Sequence, residues 1–266
     1  GTLWLVYNGE IYNYIELRRE LAERGHHFHS QSDSEVILHA YEEWGSCCLE
    51  RFNGMWAFAL WDGRSRQLFC ARDRFGIKPF YYAVMDGSFF FASEIKALLE
   101  HYGCGRTPDD DTLGTFLAWG VQDHSARTMF SGISQLRPAH AMIVSKNGPH
   151  DPYPYWGVNV SSAVSEDRGN DREPERFLSL LRDAVRIHLL SDVAVGTCLS
   201  GGIDSSMLAV LINTLIREER PASVSDRQKT FSIVFSDPRF CINVSQRACT
   251  RLLLHGAIPD EAGELF

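Results

Sequence analysis

Leu199-Ser200-Gly201-Gly202-Ile203-Asp204-Ser205-Ser206 lies between a strand-like run, residues 192–198, and a helix-like run, residues 207–216. Two adjacent glycines let the backbone approach a ligand closely and take positive φ without steric cost. The N–H groups and positive dipole end of the following helix then face that ligand, which makes an anion site. The hydroxyls of Ser200, Ser205 and Ser206 add donors, and Asp204 adds a carboxylate able to hold a cation beside the anion. The string lacks the lysine and the spacing of the G-x-x-x-x-G-K-[ST] phosphate loop. A plain serine- and glycine-rich turn is the alternative, but the two flanks favour a phosphate loop.

Working outward, residues 175–190 read as a helix, 193–198 as a strand, 205–216 as a helix, 230–235 as a strand and 244–254 as a helix. Such alternation predicts a parallel sheet covered by helices. Ligands of these sheets sit beyond the carboxyl ends of the strands, where Ser200 to Ser206 falls. Residues 151–172 change character: prolines extend 151–156, and 161–172 is polar and charged with little to bury, as in a linker. Residues 1–150 mix short strands with helices. Apolar residues at helical spacing predict helices over 14–24 and 34–44, each closed by a glycine, Gly25 and Gly45. Strands are predicted over 3–7, 55–62, 67–72, 80–84 and 89–92, with Asp62-Gly63 and Asp86-Gly87 as turns. Residues 94–100 and 111–119 read as short helices.

The 266 residues suit two domains, and 44% hydrophobic residues fit a soluble globular chain. A net charge of −8 argues against a nucleic-acid surface. No apolar run reaches membrane-span length and no signal peptide opens the chain, so no membrane partner is expected. Seven cysteines, an odd number without a C-x-x-C pair, argue against a zinc site or disulfide framework and make a reducing cytoplasm the default location. Abrupt ends, a start at Gly1 and a stop at Phe266, lead us to expect a fragment of a longer protein.

Further strings decide the family resemblance: Tyr7-Asn8-Gly9-Glu10-Ile11-Tyr12-Asn13, Ser32-Asp33-Ser34-Glu35-Val36-Ile37, Phe52-Asn53-Gly54-Met55-Trp56-Ala57-Phe58 and residues 72–82, RDRFGIKPFYY. Together they resemble the class II glutamine amidotransferase domain. The loop Ser200 to Ser206 resembles the pyrophosphate loop of the ATP-pyrophosphatases. In this order, with Arg137-Pro138-Ala139-His140 before the linker, the whole chain resembles the glutamine-hydrolysing asparagine synthetases. The resemblance implies an incomplete α+β Ntn-hydrolase-type sandwich over 1–150, a linker over 151–172, and the start of an α/β parallel-sheet ATP-pyrophosphatase domain over 173–266.

It also implies roles. Amide hydrolysis passes through a tetrahedral oxyanion, and donors aimed at that charge are usually the largest catalytic term. The side chain of Asn8 and the backbone N–H of Gly9 take this role in the family; read alone, Asn-Gly is a hairpin turn. Asp33 would accept the α-ammonium of glutamine, with Glu10 on the same binding strand. Read alone, Asp33 is a helix N-cap with Glu35 in the first turn. Leu199 and Ile233 would contact ATP, although strand core explains both, and Asp204 would associate with Mg²⁺. Asp73, Arg74, Gly76 and Pro79 are assigned to structure, as a charged turn before a strand. The histidines of His26-His27-x-His29 follow a helix-ending glycine and read as loop surface, with metal binding the lesser alternative.

The expected function is synthesis of asparagine from aspartate, glutamine and ATP, with AMP and pyrophosphate as products; a homodimer stays open. Two other readings remain: an amidotransferase or cyclase acting on another carboxylate, and a non-catalytic truncated paralogue. The family's nucleophile, an N-terminal cysteine, has no counterpart near the start of this chain. Cys241-Ile242 stands where the family has Asp-Glu, beside the expected nucleotide site.

Overall fold

Alternating large and small side chains in 54–62 set the architecture of the first part of the chain. Trp56, Phe58 and Leu60 point to one face, Ala57 and Ala59 to the other, and all five are buried. A strand buried on both faces needs a layer on each side. The structure, a computed structural model, describes residues 2–101, 105–158, 173–191, 195–219 and 228–232. It divides the chain into two compact units, Gly1–Ser165 and Glu166–Phe266.

The first unit opens with β1 (Leu3–Ile11), α1 (Tyr14–Glu23), α2 (Asp33–Trp44), a 3₁₀ turn (Gly45–Cys47) and α3 (Cys48–Arg51). It continues with β2 (Gly54–Asp62), β3 (Gln67–Arg72), β4 (Tyr81–Met85), β5 (Ser88–Ala92), α4 (Ile95–Leu99) and α5 (Asp110–Trp119). The short strands β6 (Ser134–Gln135), β8 (Gly148–Pro149) and β9 (Tyr153–Pro154) flank the longer β7 (His140–Ser145). One sheet runs β1-β2-β3-β7-β8, with β9 on β7; a second runs β5-β4-β6, and every pairing in both is antiparallel.

Three clusters of buried side chains define four layers. Leu17, Leu21, Val36, Ile37, Ala40 and Leu49 from the first three helices pack on Trp56, Phe58, Leu60 and Phe69. Ala57, Ala59, Cys70 and Met142 of the first sheet meet Phe80, Tyr82, Phe89 and Phe91 of the second. Leu98 and Ile95 of α4 cover the far side of the second sheet through Ala83 and Phe90. The result is the helix–sheet–sheet–helix sandwich expected of an Ntn-hydrolase-type domain. Burial of each large core side chain contributes about 1.5–3 kcal/mol.

The junction after β3 ties these layers together. Asp73 is 1% exposed, and its carboxylate accepts the N–H groups of Trp56 (3.2 Å), Phe75 (3.0 Å), Ile77 (3.0 Å) and Lys78 (2.9 Å). Arg72, also buried, donates to the carbonyls of Lys78 (2.6 Å), Gly76 (2.8 Å) and Leu136 (2.7 Å) and to Gln135 Oε1 (3.1 Å). Gly76 sits at φ +65°, and a Cβ there would meet Pro138 Cγ at 2.7 Å. The charged turn at Asp73 and Gly76 therefore has a fully structural explanation.

Residues 151–156 depart from the linker reading. Tyr153–Pro154 pairs with β7, Tyr155 stacks on Trp56 at 5.9 Å, and its hydroxyl donates to Arg72 O at 2.8 Å. The prolines extend the segment as expected, but Tyr155 gives it apolar surface to bury. The helix cap also differs: Ser32 Oγ accepts the Ser34 N–H, so Asp33 is the first helical residue and not the cap.

In the second unit, α6 (Glu173–His188), β10 (Gly196–Cys198), α7 (Ile203–Glu219) and β11 (Lys229–Phe231) form a β-α-β unit with β10 parallel to β11, preceded by a helix. Val185 and Leu189 pack on Leu211 and Leu215. The predicted linker core at 161–172 and helix at 244–254, with Cys241-Ile242, lie outside the described residues. Among the described residues no helix is long and apolar enough to cross a membrane.

Two stability tests follow from these contacts. Asp73→Ala leaves four backbone N–H groups, that of buried Trp56 among them, without this acceptor and should cost about 3–5 kcal/mol in urea denaturation; a loss below about 1 kcal/mol would contradict the assigned role. Burial alone would raise the Glu35 carboxyl, but the N–H of His29 and the hydroxyl and N–H of Ser30 lower it from 4.5 to about 2. Its contribution is therefore present above about pH 4.5 and lost as pH falls toward 2. Glu35→Gln should flatten acid destabilisation in that window, read from denaturation midpoints at stepped pH.

Candidate functional site at the edge of the first sheet

Asn8 and Gly9 lie within β1, not in a hairpin turn. In register with β2, Asn8 faces Ala57, Gly9 faces Trp56 and Ile11 faces Gly54. The two backbones approach closely here. A Cβ on Gly9, at φ +154°, would lie 2.2 Å from Met55 O and 2.5 Å from Trp56 Cα; one on Gly54 would lie 2.1 Å from Glu10 O. Two glycines are thus required by contact, whatever the chemistry.

The outer edge of β1 carries no paired strand among the described residues. The Tyr12 N–H turns inward to Asn53 O at 2.7 Å, and the Ile11 N–H turns outward to Asp33 Oδ2 at 3.0 Å. Alternation along the strand puts the Gly9 N–H on the same outer edge as that of Ile11. Asp33 is anchored there by a second donor, the Tyr7 hydroxyl, at 2.6 Å on the same Oδ2. Burial first, and then the bond to Asp33, push the Tyr7 phenol well up, so it stays a donor. With Oδ2 holding both donors, Oδ1 has, among the described residues, only the long contact to Ser32 Oγ at 3.4 Å.

Asn8 projects to the side of Ala57, toward the second sheet, and its Nδ2 donates to Ser93 Oγ at 3.2 Å. Glu10 is exposed on the same strand. The structure therefore gathers Asn8, Gly9, Glu10 and Asp33 at one end of β1. It adds Tyr7 and Ser93, which sequence reasoning missed. Tyr7 stood inside the quoted string, and strand parity, which places it on the helix-facing side with Leu5, is the signal that could have found it. Ser93 had no such signal. Chemically, the edge offers an outward amide N–H and a fixed carboxylate, with a carboxamide on the neighbouring residue.

No described cysteine of the first unit joins them. Cys48 and Cys70 are buried in the core, and burial pushes the Cys48 thiol up to about 12. Cys47 lies past the far end of α2, a helix of 12 residues and so about 18 Å long, that starts at Asp33.

In the second unit, the Ser200 to Ser206 segment leads from β10 into the first turn of α7, with Gly201 at φ +81°. Leu199 is buried: its N–H donates to Phe231 O at 2.8 Å and its carbonyl accepts from Ser232 Oγ at 2.7 Å, as strand core. Ser200 and Ser205 hydroxyls lie 3.0 Å apart, and Ser205 Oγ also donates to Gly202 O at 3.2 Å. Gly202 and Asp204 are exposed at the start of α7. Ser206 Oγ is buried without a partner among the described residues. Ile233 lies outside them. A long helix whose first turn is exposed and whose buried hydroxyl lacks a partner suits an anion.

The glutamine amidotransferase domain family matches residues 1–156, and the asparagine synthase family matches residues 176–247. The chain belongs to the glutamine amidotransferase domain family, with an asparagine-synthase-type stretch following. It is 41% identical over 236 residues to asparagine synthetase [glutamine-hydrolyzing] 3 of Bacillus subtilis, covering 89% of this chain and 37% of that protein. It is 35% identical over 223 residues to amidase chry2 of Gibberella zeae, covering 82% and 32%. The chain thus spans about a third of the length of these relatives. Among solved structures it resembles the glutamine phosphoribosylpyrophosphate amidotransferase of B. subtilis at 16% identity and TM-score 0.42, covering 80% of this chain and 44% of that one.

Gly9→Ala should cost about 2–4 kcal/mol, because the methyl group displaces β1 from β2. Chemical denaturation measures this, and a cost under about 0.5 kcal/mol would show that the strands are not in the contact described.

Proposed function

We propose that this chain is part of a glutamine-dependent, ATP-consuming ligase that makes asparagine from aspartate and releases AMP and pyrophosphate. The observation that carries the glutamine half is the open edge of β1, where Asp33 is bonded to Ile11 N–H, two residues from Gly9. On this reading Asp33 accepts the α-ammonium of glutamine and Glu10 stands beside it on the same strand. Asn8 Nδ2 and the Gly9 N–H receive the oxyanion that forms when the side-chain amide is attacked. That attack needs a nucleophile, and no described cysteine of the first unit stands beside this edge. The chain made alone is therefore expected to release no ammonia from glutamine above a protein-free control. Release that disappears in Asn8→Ala would contradict this.

The ATP half rests on the loop after β10. Ser200, Gly201, Gly202, Ser205 and Ser206 would hold the pyrophosphate at the start of α7, with Leu199 beside the nucleotide. Ile233 is proposed as a second nucleotide contact from its sequence position alone. The unpartnered Ser206 hydroxyl and the exposed Asp204 fit a phosphate with its cation, since Mg²⁺ is commonly held by one or two carboxylates plus phosphates. Bound there, Mg²⁺ would offset the phosphate charge. Aspartate's β-carboxylate would displace pyrophosphate from the α-phosphorus, and ammonia would then displace AMP. Cleavage at the α-phosphate is why AMP, not ADP, is expected.

A second reading keeps both half-reactions but changes the acceptor to another carboxylate. It is favoured by the relative named as an amidase. Product analysis on the full-length protein with [amide-¹⁵N]glutamine, ATP and a panel of carboxylic acids separates the two. Labelled asparagine with AMP is expected. Label in another amide would replace aspartate as acceptor, and ADP as product would overturn the ATP chemistry. Asp204→Ala in the same protein should abolish AMP formation while glutaminase activity persists; equal loss of both would contradict separate sites.

A further inference from the structure

Away from the β1 edge, the loop after α1 brings His26 against α2. Contrary to the loop-surface reading of 26–29, only His27 and His29 are exposed. The His26 and His39 side chains are 13% and 19% exposed, and their Nδ1 atoms lie 3.1 Å apart. The rings meet edge to face at a centroid distance of 5.0 Å, and Phe28 packs on His39 at 4.6 Å.

The far nitrogens of both rings face carboxylates. His26 Nε2 lies 3.1 Å from Glu43 Oε2, and His39 Nε2 lies 3.7 Å from Glu35 Oε1. Glu35 is locked in place by the N–H groups of His29 (2.8 Å) and Ser30 (2.7 Å). In the tautomer that carries the proton on Nε2 of each ring, the two Nδ1 lone pairs face each other at this distance, and a cation between them satisfies both. Carboxylate-oriented histidines are the usual supporting arrangement around a metal. Two nitrogens on a tetrahedral zinc ion stand about 3.3 Å apart.

Glu42 completes the set. Its Oε2 is 4.0 Å from His39 Nδ1, and one ligand atom from each of His26, His39 and Glu42 can be chosen with all within 4.8 Å of one another. The other charges nearby are accounted for: Arg24 bonds Glu43 at 3.1 Å and Arg64 contacts Glu42 at 3.4 Å.

We propose that His26, His39 and Glu42 form a site for a divalent transition metal of the zinc class, with water as the remaining ligand. The ion would staple the end of α1 to the middle of α2, the helix that begins at Asp33. It would act on the fold and take no part in the glutamine chemistry.

Cobalt(II) titration of the metal-stripped 266-residue chain tests this. One Co²⁺ per chain is expected, with visible bands of tetrahedral nitrogen–oxygen coordination, displaced by Zn²⁺. Zn²⁺ should also raise the thermal midpoint. His26→Gln and His39→Gln should each weaken binding at least about tenfold, and Glu43→Gln, which only orients His26, about tenfold. Because His39 is packed in the fold, the exposed Glu42→Gln is the variant free of a folding defect; it too should weaken binding. His27→Gln/His29→Gln should bind as the parent does. Absence of binding, a thiolate-to-metal charge-transfer band, or binding unmoved by both His26→Gln and Glu42→Gln would overturn the proposal.

Discussion

The buried carboxylate of Asp73 is the constraint on which the rest of the first unit depends. It accepts four backbone N–H groups, and one of them belongs to Trp56. The Asp73 N–H returns a bond to Trp56 O at 2.7 Å, so Trp56 is held at both backbone atoms. Trp56 is the residue opposite Gly9, and its Cα is what a Gly9 side chain would strike. The chain of contacts then runs along β1 to Ile11 and out to Asp33. A charge buried in a turn thereby sets the position of a strand edge two strands away. Such a charge is tolerable in the core because its bonds are all made.

Much of this was legible. The helices over 14–23 and 33–44 and the strands of the first hairpins follow from apolar spacing and from glycine and Asp-Gly punctuation. What was missed has physical causes. β6, β8 and β9 are two residues long and carry no periodicity. Residues 153–156 read as linker because prolines dominate the local signal, whereas Tyr155 is held by a stack on Trp56 and a bond to Arg72, more than 80 residues away in sequence. Long-range pairing of that kind leaves no local trace.

The site shows the same division. Asn8, Gly9, Glu10 and Asp33 came from a family resemblance, and read alone Asn8-Gly9 suggested a hairpin. The structure replaces the hairpin with a crowded strand crossing, which explains the glycine by contact with Met55 and Trp56. Tyr7 and Ser93 entered only through geometry. The His26–His39 pair was hidden for a similar reason: the sequence drew attention to the adjacent His26-His27-x-His29, while the partner of His26 lay on the next helix.

That the outer edge of β1 binds glutamine is most directly tested by amide NMR of the 266-residue chain titrated with L-glutamine. The expected result is saturable shifts confined to the Gly9 and Ile11 N–H groups and the Asn8 side-chain amide. They should be weakened in Asp33→Asn and absent with D-glutamine. No shift at these groups at millimolar L-glutamine, or identical shifts with both enantiomers, would contradict the account.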